Sequence, residues 1–162
     1  MSEYQFGEYI YKMKLKIGDK APVFKAYNQQ NELLNLKDLK GQKIVLIFYP
    51  KDSTPTCTKQ LCNIRDHFDE FLKAGYKVLA ISTNSAKSHQ NFASKNNFPF
   101  DLIVDEKAKI NELYGAWREK TLFGHKYMGT VRTSFLLDEK GKIIKIIEKV
   151  KAESHTEQIL ND

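Results

Sequence analysis

The sequence predicts a single α/β domain in which helices flank a mixed central β-sheet. Three observations lead to this fold class. Through the middle of the chain, apolar runs of strand length alternate with segments of helical period, as in proteins with a partly parallel sheet. The run IVLIFY at 44–49 is apolar on both faces, as expected of a strand covered on both sides. Nearer the C-terminus, two further runs are joined by DEKG at 138–141, which predicts an antiparallel hairpin and makes the sheet mixed.

The N-terminal part of the chain contributes an extension, a hairpin and the central strand. Residues 1–13 show no clear period and are predicted to be an extension, so the folded domain is expected to span 14–162. A short hairpin is predicted over 21–36, with its turn at NQQN, and one helical turn follows it. The strand that begins at Lys43 is expected to stop at Pro50, because proline has no N–H to donate to a sheet ladder.

The remaining elements are predicted in a regular order. A long helix is expected over 53–75, where these apolar side chains recur at helical spacing: Leu61, Ile64, Phe68, Phe71 and Leu72. The elements after it are a strand at 77–83, a weak helix at 85–97, a strand at 100–105, a short helix at 106–115, the hairpin at 131–150 and a terminal helix from 153. Residues 115–129, around Trp117, are predicted to form a loop that covers the core. This order matches a thioredoxin-like fold with an N-terminal β-hairpin addition.

Composition and charge exclude several classes of function. The chain has 162 residues and a formal net charge of +6, but its lysines are scattered and no nucleic-acid-binding motif accompanies them, so no nucleic-acid partner is expected. No apolar run approaches the ~18 residues of a membrane span, so no membrane partner is expected. The N-terminus lacks the pattern of a secretory signal, which makes the cytoplasm the expected location. In a reducing compartment, two cysteines are more often catalytic, redox-sensing or metal-binding than structural.

Cys57 is the first candidate for a reactive group. It lies just beyond the central strand, near the start of the following helix, and ligands of open α/β sheets bind outside the carboxyl ends of the strands. The unpaired N–H groups and the positive dipole of a first helical turn favour a thiolate, which is the nucleophilic form. The hydroxyl of Thr54 can turn back toward the sulfur, and Pro50 and Pro55 are expected to shape a narrow collar that admits a peroxide. The alternative is that Cys57 is a small buried apolar side chain.

Cys62 is the second candidate, because it carries the only other thiol in the chain. A thiolate that attacks a peroxide becomes a sulfenic acid, which condenses with a second thiol to form a disulfide. On a continuous helix, Cα atoms five residues apart are separated by about 8–9 Å, beyond the ~7 Å that a disulfide permits. We therefore expect the helix to unwind over about residues 54–66 when the two sulfurs join. The alternative is that Cys62 packs in the core beside Leu61 and Ile64.

These residues resemble a known family. The pattern Pro-x-x-x-Thr-x-x-Cys, here Pro50, Thr54 and Cys57, resembles the active-site signature of peroxiredoxins. The longer stretch YPKDSTPTCTKQLCNIRD is similar to the Q-type subgroup, also called bacterioferritin comigratory proteins, which carry a second cysteine five residues after the first, as Cys62 is here. The resemblance extends over most of the chain and excludes roughly the first twelve residues.

The resemblance implies a thiol-dependent peroxidase. Such an enzyme reduces hydrogen peroxide and organic hydroperoxides through Cys57, resolves the product with Cys62 as an intramolecular disulfide, and is recycled by thioredoxin or a similar dithiol donor. The family implies no metal and no organic cofactor, and it implies an arginine beside the thiolate, which Arg132 in VRTSF matches. A guanidinium there would stabilise the thiolate and orient the peroxide. The subgroup also favours a monomer, with a dimer as the alternative.

This chain departs from the subgroup at the position before Cys57. The subgroup commonly has glycine where this chain has Thr56, and a β-branched residue restricts the backbone beside the reactive sulfur.

Three other functions are alternatives to the peroxidase. A thioredoxin-like disulfide reductase would have two residues between its cysteines, whereas this chain has four. A structural zinc site would need four ligands, and the cysteine and histidine spacings do not match the usual patterns. A redox-sensing binding protein could use the same cysteine pair, and steady-state turnover would separate it from a peroxidase.

Overall fold

The structure is a computed structural model that describes the backbone of residues 3–6 and 9–12, and residues 14–161 with their side chains. The strands are β1 (Glu3–Phe6), β2 (Tyr9–Lys12), β3 (Lys25–Tyr27), β4 (Leu33–Asn35), β5 (Lys43–Phe48), β6 (Tyr76–Ser82), β7 (Asp101–Val104), β8 (Trp117–Leu122), β9 (His125–Thr130), β10 (Thr133–Leu137) and β11 (Ile143–Ile147). The helices are α1 (Pro55–Asp66), α2 (Phe68–Lys73), α3 (Ala86–Asn96), α4 (Lys109–Leu113) and α5 (His155–Leu160), with short 3-10 turns at Leu36–Leu39 and Ala152–Ser154.

The central sheet has five strands in the order β11-β10-β5-β6-β7. Strands β5, β6 and β7 run parallel, so the segments between them must cross over the faces of the sheet. Strand β10 pairs antiparallel with β5, and β11 pairs antiparallel with β10. The predicted mixed sheet, with β5 at its centre, is therefore confirmed.

The two faces of the sheet are covered by different elements. Side chains of the central strand alternate, so that Val45 and Ile47 face one cluster while Leu46 and Phe48 face the other. The first cluster takes residues from α1, α2, α3 and α5, namely Leu61, Phe71, Phe92 and Ile159. The second takes residues from the β3–β4 hairpin and α4, including Ala26 and Ile110. The central run is apolar throughout because both of its faces are buried.

Several further predictions are confirmed by these elements. The hairpin expected over 21–36 is the antiparallel pair β3–β4, and the helical turn after it is present. The closing hairpin is β10–β11. Within the predicted extension, β1 pairs antiparallel with β2, while the side chains of residues 1–13 lie outside the described residues.

Two predictions about element boundaries are wrong. Residues 115–129 do not form a loop over the core but the antiparallel hairpin β8–β9, most of whose side chains are exposed. Because most side chains on both faces of this hairpin are exposed, its sequence lacks the alternation that marks a strand. The helix expected over 53–75 is two helices, since α1 ends at Asp66 and α2 starts at Phe68, with His67 between them at φ −115° and ψ 20°.

This topology places the start of α1 at the carboxyl end of the central strand. The same end of the sheet receives Arg132, in the connection between β9 and β10. Among the described residues, no helix has the length and apolar character that crossing a bilayer requires.

Candidate active site

Cys57 occupies the first turn of α1, as the sequence predicts. Thr54 precedes the helix in an extended conformation, at φ −80° and ψ 151°, and Pro55 is its first residue. The carbonyl oxygen of Thr54 accepts the N–H of Thr58 at 2.9 Å, which closes the first helical turn around the cysteine. The sulfur is thereby held close to backbone N–H groups that have no partner within the helix.

The Cys57 side chain is fully buried and in contact with a cation. Its residue has no exposed surface, and it belongs to the apolar cluster that includes Tyr49 and Leu61. Arg132 brings Nη1 to 3.2 Å from Cys57 Sγ. A guanidinium at this distance stabilises negative charge on sulfur, and burial strengthens that attraction because little water screens it.

Gln60 is a site residue that sequence reasoning missed. Its Oε1 accepts a hydrogen bond from the same Nη1 of Arg132 at 2.8 Å, so Gln60 fixes the guanidinium that faces the sulfur. The Nε2 of Gln60 is buried and has no hydrogen-bond partner within residues 14–161. A signal was available, because residues three apart on a helix share one face and Gln60 follows Cys57 by three.

Thr54 does not make the contact expected of it in this state. Its hydroxyl donates to the carbonyl oxygen of Lys51 at 2.9 Å, so the hydrogen points into the loop and not toward Cys57 Sγ. The lone pairs of the hydroxyl oxygen are left to accept a hydrogen bond. Pro50 lies in the same loop, two residues after the end of β5, and is partly exposed.

Cys62 lies on the same helix as Cys57 and is partly buried. Its Sγ faces the Oδ1 of Asn96 at 3.8 Å. Burial raises the pKa of the Cys62 thiol, an effect that the positive charge of Arg65 partly opposes. Both cysteines are free thiols in this structure, so it represents the reduced form.

A buried polar network lies behind the site and was also missed. The carboxylate of Asp52 accepts hydrogen bonds from the Tyr49 hydroxyl at 2.6 Å, from Ser88 at 2.8 Å and from His89 Nδ1 at 2.7 Å. Burial, and then the charge of Asp52, raises the pKa of Tyr49 well above its ordinary value, so its hydroxyl stays protonated and donates. Sequence gave no signal for this network, because Ser88 and His89 are more than thirty positions from Asp52.

The β8–β9 hairpin adds a second cation near the site. Lys120 donates from Nζ to the carbonyl oxygen of Thr130 at 2.8 Å, two residues before Arg132. Burial, and then the charge of Arg132, lowers the pKa of Lys120. Within residues 14–161, no three His, Cys, Asp or Glu side chains are grouped in a way that could hold a metal ion.

Comparisons with known proteins identify the family of the chain. The model of the AhpC/TSA family matches residues 17–146. The chain belongs to the AhpC/TSA family. Peroxiredoxin Bcp of Escherichia coli strain K12 is 43% identical over 147 residues, which cover 91% of this chain and 94% of that protein. Peroxiredoxin Bcp of Bacillus subtilis is 40% identical over 148 residues, with the same coverage.

Solved structures of relatives align with this chain over most of its length. A cysteine-to-serine mutant of Xylella fastidiosa PrxQ aligns with a TM-score of 0.86 at 28% identity and covers 93% of this chain and 96% of its own. Bacterioferritin comigratory protein of Xanthomonas campestris aligns with a TM-score of 0.80 at 33% identity, covering 85% and 87%. The thioredoxin-like fold class is confirmed, and the chain is a peroxiredoxin, that is, a thiol-dependent peroxidase.

Proposed function

We propose that Cys57 is the sulfur that attacks the peroxide. The observation that carries this assignment is the 3.2 Å contact between Arg132 Nη1 and Cys57 Sγ at the start of α1. The thiolate displaces one oxygen of the O–O bond, so that sulfur becomes a sulfenic acid and the leaving oxygen takes a proton to become water or an alcohol. The substrate class is hydrogen peroxide and organic hydroperoxides.

The residues around Cys57 have complementary roles in this step. Arg132, which Gln60 holds in place, stabilises the thiolate and then the charge that develops on the leaving oxygen. Thr54 Oγ1 has its hydrogen committed to Lys51, so it accepts a hydrogen bond from the peroxide O–H. Pro50 shapes the loop that brings Thr54 beside the sulfur.

We propose that Cys62 resolves the sulfenic acid. Its thiol condenses with Cys57–SOH to form the disulfide and release water, and a thioredoxin-type dithiol then reduces the disulfide. Since both cysteines lie on one continuous helix, α1 must unwind before the sulfurs can join. Unwinding also exposes Cys62 to water, which removes the burial that raises its pKa and makes the thiolate more available.

The rest of the proposal follows from these roles. Two thiols carry both electrons of the reaction, so the mechanism needs no metal and no organic cofactor. The resemblance to the Q-type subgroup favours a monomer as the functional unit. A thioredoxin-type donor keeps thiols reduced in the cytoplasm, which is the proposed location.

A coupled assay tests the proposal. Oxidation of NADPH is followed with peroxide, thioredoxin and its reductase for the wild type, Cys57→Ser and Cys62→Ser. We expect no turnover for Cys57→Ser, whereas Cys62→Ser reacts once with peroxide and is not recycled by thioredoxin. Full activity of Cys57→Ser contradicts the assignment of the attacking sulfur, and normal thioredoxin-linked turnover of Cys62→Ser contradicts the resolving role. Single-turnover oxidation of the wild type without multiple turnovers would instead indicate a redox sensor.

A further inference from the structure

Asp52 is tied to three elements of the fold through a largely buried set of hydrogen bonds. Its side chain is 1% exposed and that of His89 is 0% exposed. Three donors converge on the carboxylate, from Tyr49 after β5 and from Ser88 and His89 on α3. The second ring nitrogen of His89 lies 2.9 Å from the carbonyl oxygen of Ile103 on β7, which fixes the imidazole from its far side. The proposed chemistry uses none of these groups directly.

The backbone beside Asp52 is also restrained. The N–H of Asp52 donates to Asn84 Oδ1 at 2.9 Å, and that oxygen is held in turn by the Ser82 hydroxyl at 2.8 Å. The next residue, Ser53, has φ 62°, in the left-handed region that costs a non-glycine residue free energy. A strained residue of this kind persists only where its neighbours hold it, and the hydrogen bonds of Asp52 do so.

This restraint lies directly N-terminal to the helix that must unwind. Only Ser53 and Thr54 separate Asp52 from the first residue of α1. At Cys62, the sulfur makes one long polar contact, 3.8 Å to Asn96, and packs against the edge of the apolar cluster that contains Cys57. The hydrogen bonds of Asp52 therefore restrain α1 at its N-terminal boundary, where the turn that carries Cys57 begins.

We propose that Asp52 is a positioning residue that ties the β5–α1 loop to α3, holds Cys57 in its folded, peroxide-reactive turn, and sets how readily α1 unwinds. The inference rests on the proposed function of the two cysteines. It assigns no contact between Asp52 and the substrate. Its effect is carried by the loop, through Ser53 and Thr54.

The balance between folded and unwound α1 decides the fate of the sulfenic acid. In the unwound form, Cys57–SOH and the Cys62 thiol give a disulfide and water. In the folded form, a second hydroperoxide molecule oxidises Cys57–SOH to the sulfinic acid and is itself reduced to water or an alcohol. When the β5–α1 loop is held less firmly, α1 unwinds more readily. The folded turn that reacts with peroxide is then less populated, so the first reaction is slower. The sulfenic acid also spends less time in the folded form, so a smaller fraction becomes sulfinic acid in each turnover.

The test compares Asp52→Asn with a matched control, Asp101→Asn. Asp101 is a half-buried carboxylate that accepts from Asn28 and pairs with Lys77, and it starts β7, at the end of the sheet away from Cys57. Stopped-flow kinetics give the rate of Cys57 with hydrogen peroxide, and mass spectrometry gives the ratio of sulfinic acid to disulfide at fixed peroxide. Ser88→Ala, which removes one donor to Asp52, replaces Asp52→Asn if that variant does not fold.

We expect Asp52→Asn to react with peroxide about tenfold more slowly, which corresponds to about 1.4 kcal/mol and to the loss of one hydrogen bond to a charged group. Its ratio of sulfinic acid to disulfide should fall severalfold, while Asp101→Asn keeps both wild-type values. An unchanged or higher ratio in Asp52→Asn overturns the inference, and so does a control variant that behaves in the same way. Because the wild type and Cys57→Ser are assayed in parallel, failure of this inference is distinguishable from failure of the proposed function.

Discussion

Replacement of Arg132 by methionine tests the central contact of the site. The side chain of methionine fills much of the same space but carries no charge and no donor, so Cys57 Sγ and Gln60 Oε1 both lose the partner that lies 3.2 and 2.8 Å away. Two unit charges about 3.2 Å apart interact by about 5 kcal/mol at an effective dielectric constant of 20, which is an upper bound before desolvation is subtracted. Hydrogen bonds to charged groups contribute about 1.5–3 kcal/mol net.

That net range converts to a loss of about 10- to 150-fold in the rate of Cys57 with peroxide. The rate is measured by stopped-flow under single-turnover conditions, which separates it from recycling by the reductant. Arg118→Met is the matched control, because Arg118 is exposed and its Nε donates to the carbonyl oxygen of Gly115, away from Cys57. A rate for Arg132→Met within threefold of the wild type would refute the role of the guanidinium.

Two further predictions concern stability. Burial lowers the pKa of His155 from 6.5 to about 4, so the unfolded chain binds a proton in that pH window that the folded chain does not. The free energy of unfolding should therefore fall by about 3 kcal/mol as the pH drops from about 6.5 to 4. In urea unfolding, the free energy of unfolding of His155→Gln should depend less steeply on pH. An equally steep pH dependence in that variant contradicts the assignment of the effect to His155. Phe123 is 92% exposed and has φ 51° in the two-residue turn between β8 and β9. Asn-Gly is a favoured pair in such a turn, because asparagine tolerates a positive φ. Phe123→Asn should therefore relieve about 1 kcal/mol of strain and raise the melting temperature by about 2–4 °C. A lower melting temperature in calorimetry would contradict this prediction.

The sequence predicted an element best where local residue types favour one kind of secondary structure. The short β-branched and aromatic run of β5 favoured a strand buried on both faces, and Pro50 marked its end. The placement of Cys57 in the first turn of α1 follows from Thr54 and Pro55, which mark a helix start. The fold class and the position of Cys57 in the first turn of α1 were therefore predictable.

Contacts between distant segments were not predictable from pattern alone. Asp52 and His89 belong to different elements, and nothing local in either segment indicates that the two side chains meet. The β8–β9 hairpin was not predicted, because most of its side chains are exposed. Its sequence therefore lacks the alternation of apolar and polar residues that indicates a strand. Arg132 was found only through the family resemblance, because a lone arginine at the start of a strand is as easily a surface residue.

The break between α1 and α2 sets a limit on the segment that would unwind in the proposed oxidised form. The N–H of His67 bonds to the carbonyl oxygens of Ile64 and Arg65, which closes α1 as a unit of twelve residues. Phe71 on α2 is fully buried, so we expect α2 to stay docked when α1 unwinds. The proposed Cys57–Cys62 disulfide would then lie on a short segment anchored at both ends, so that the rest of the domain would stay folded in every cycle.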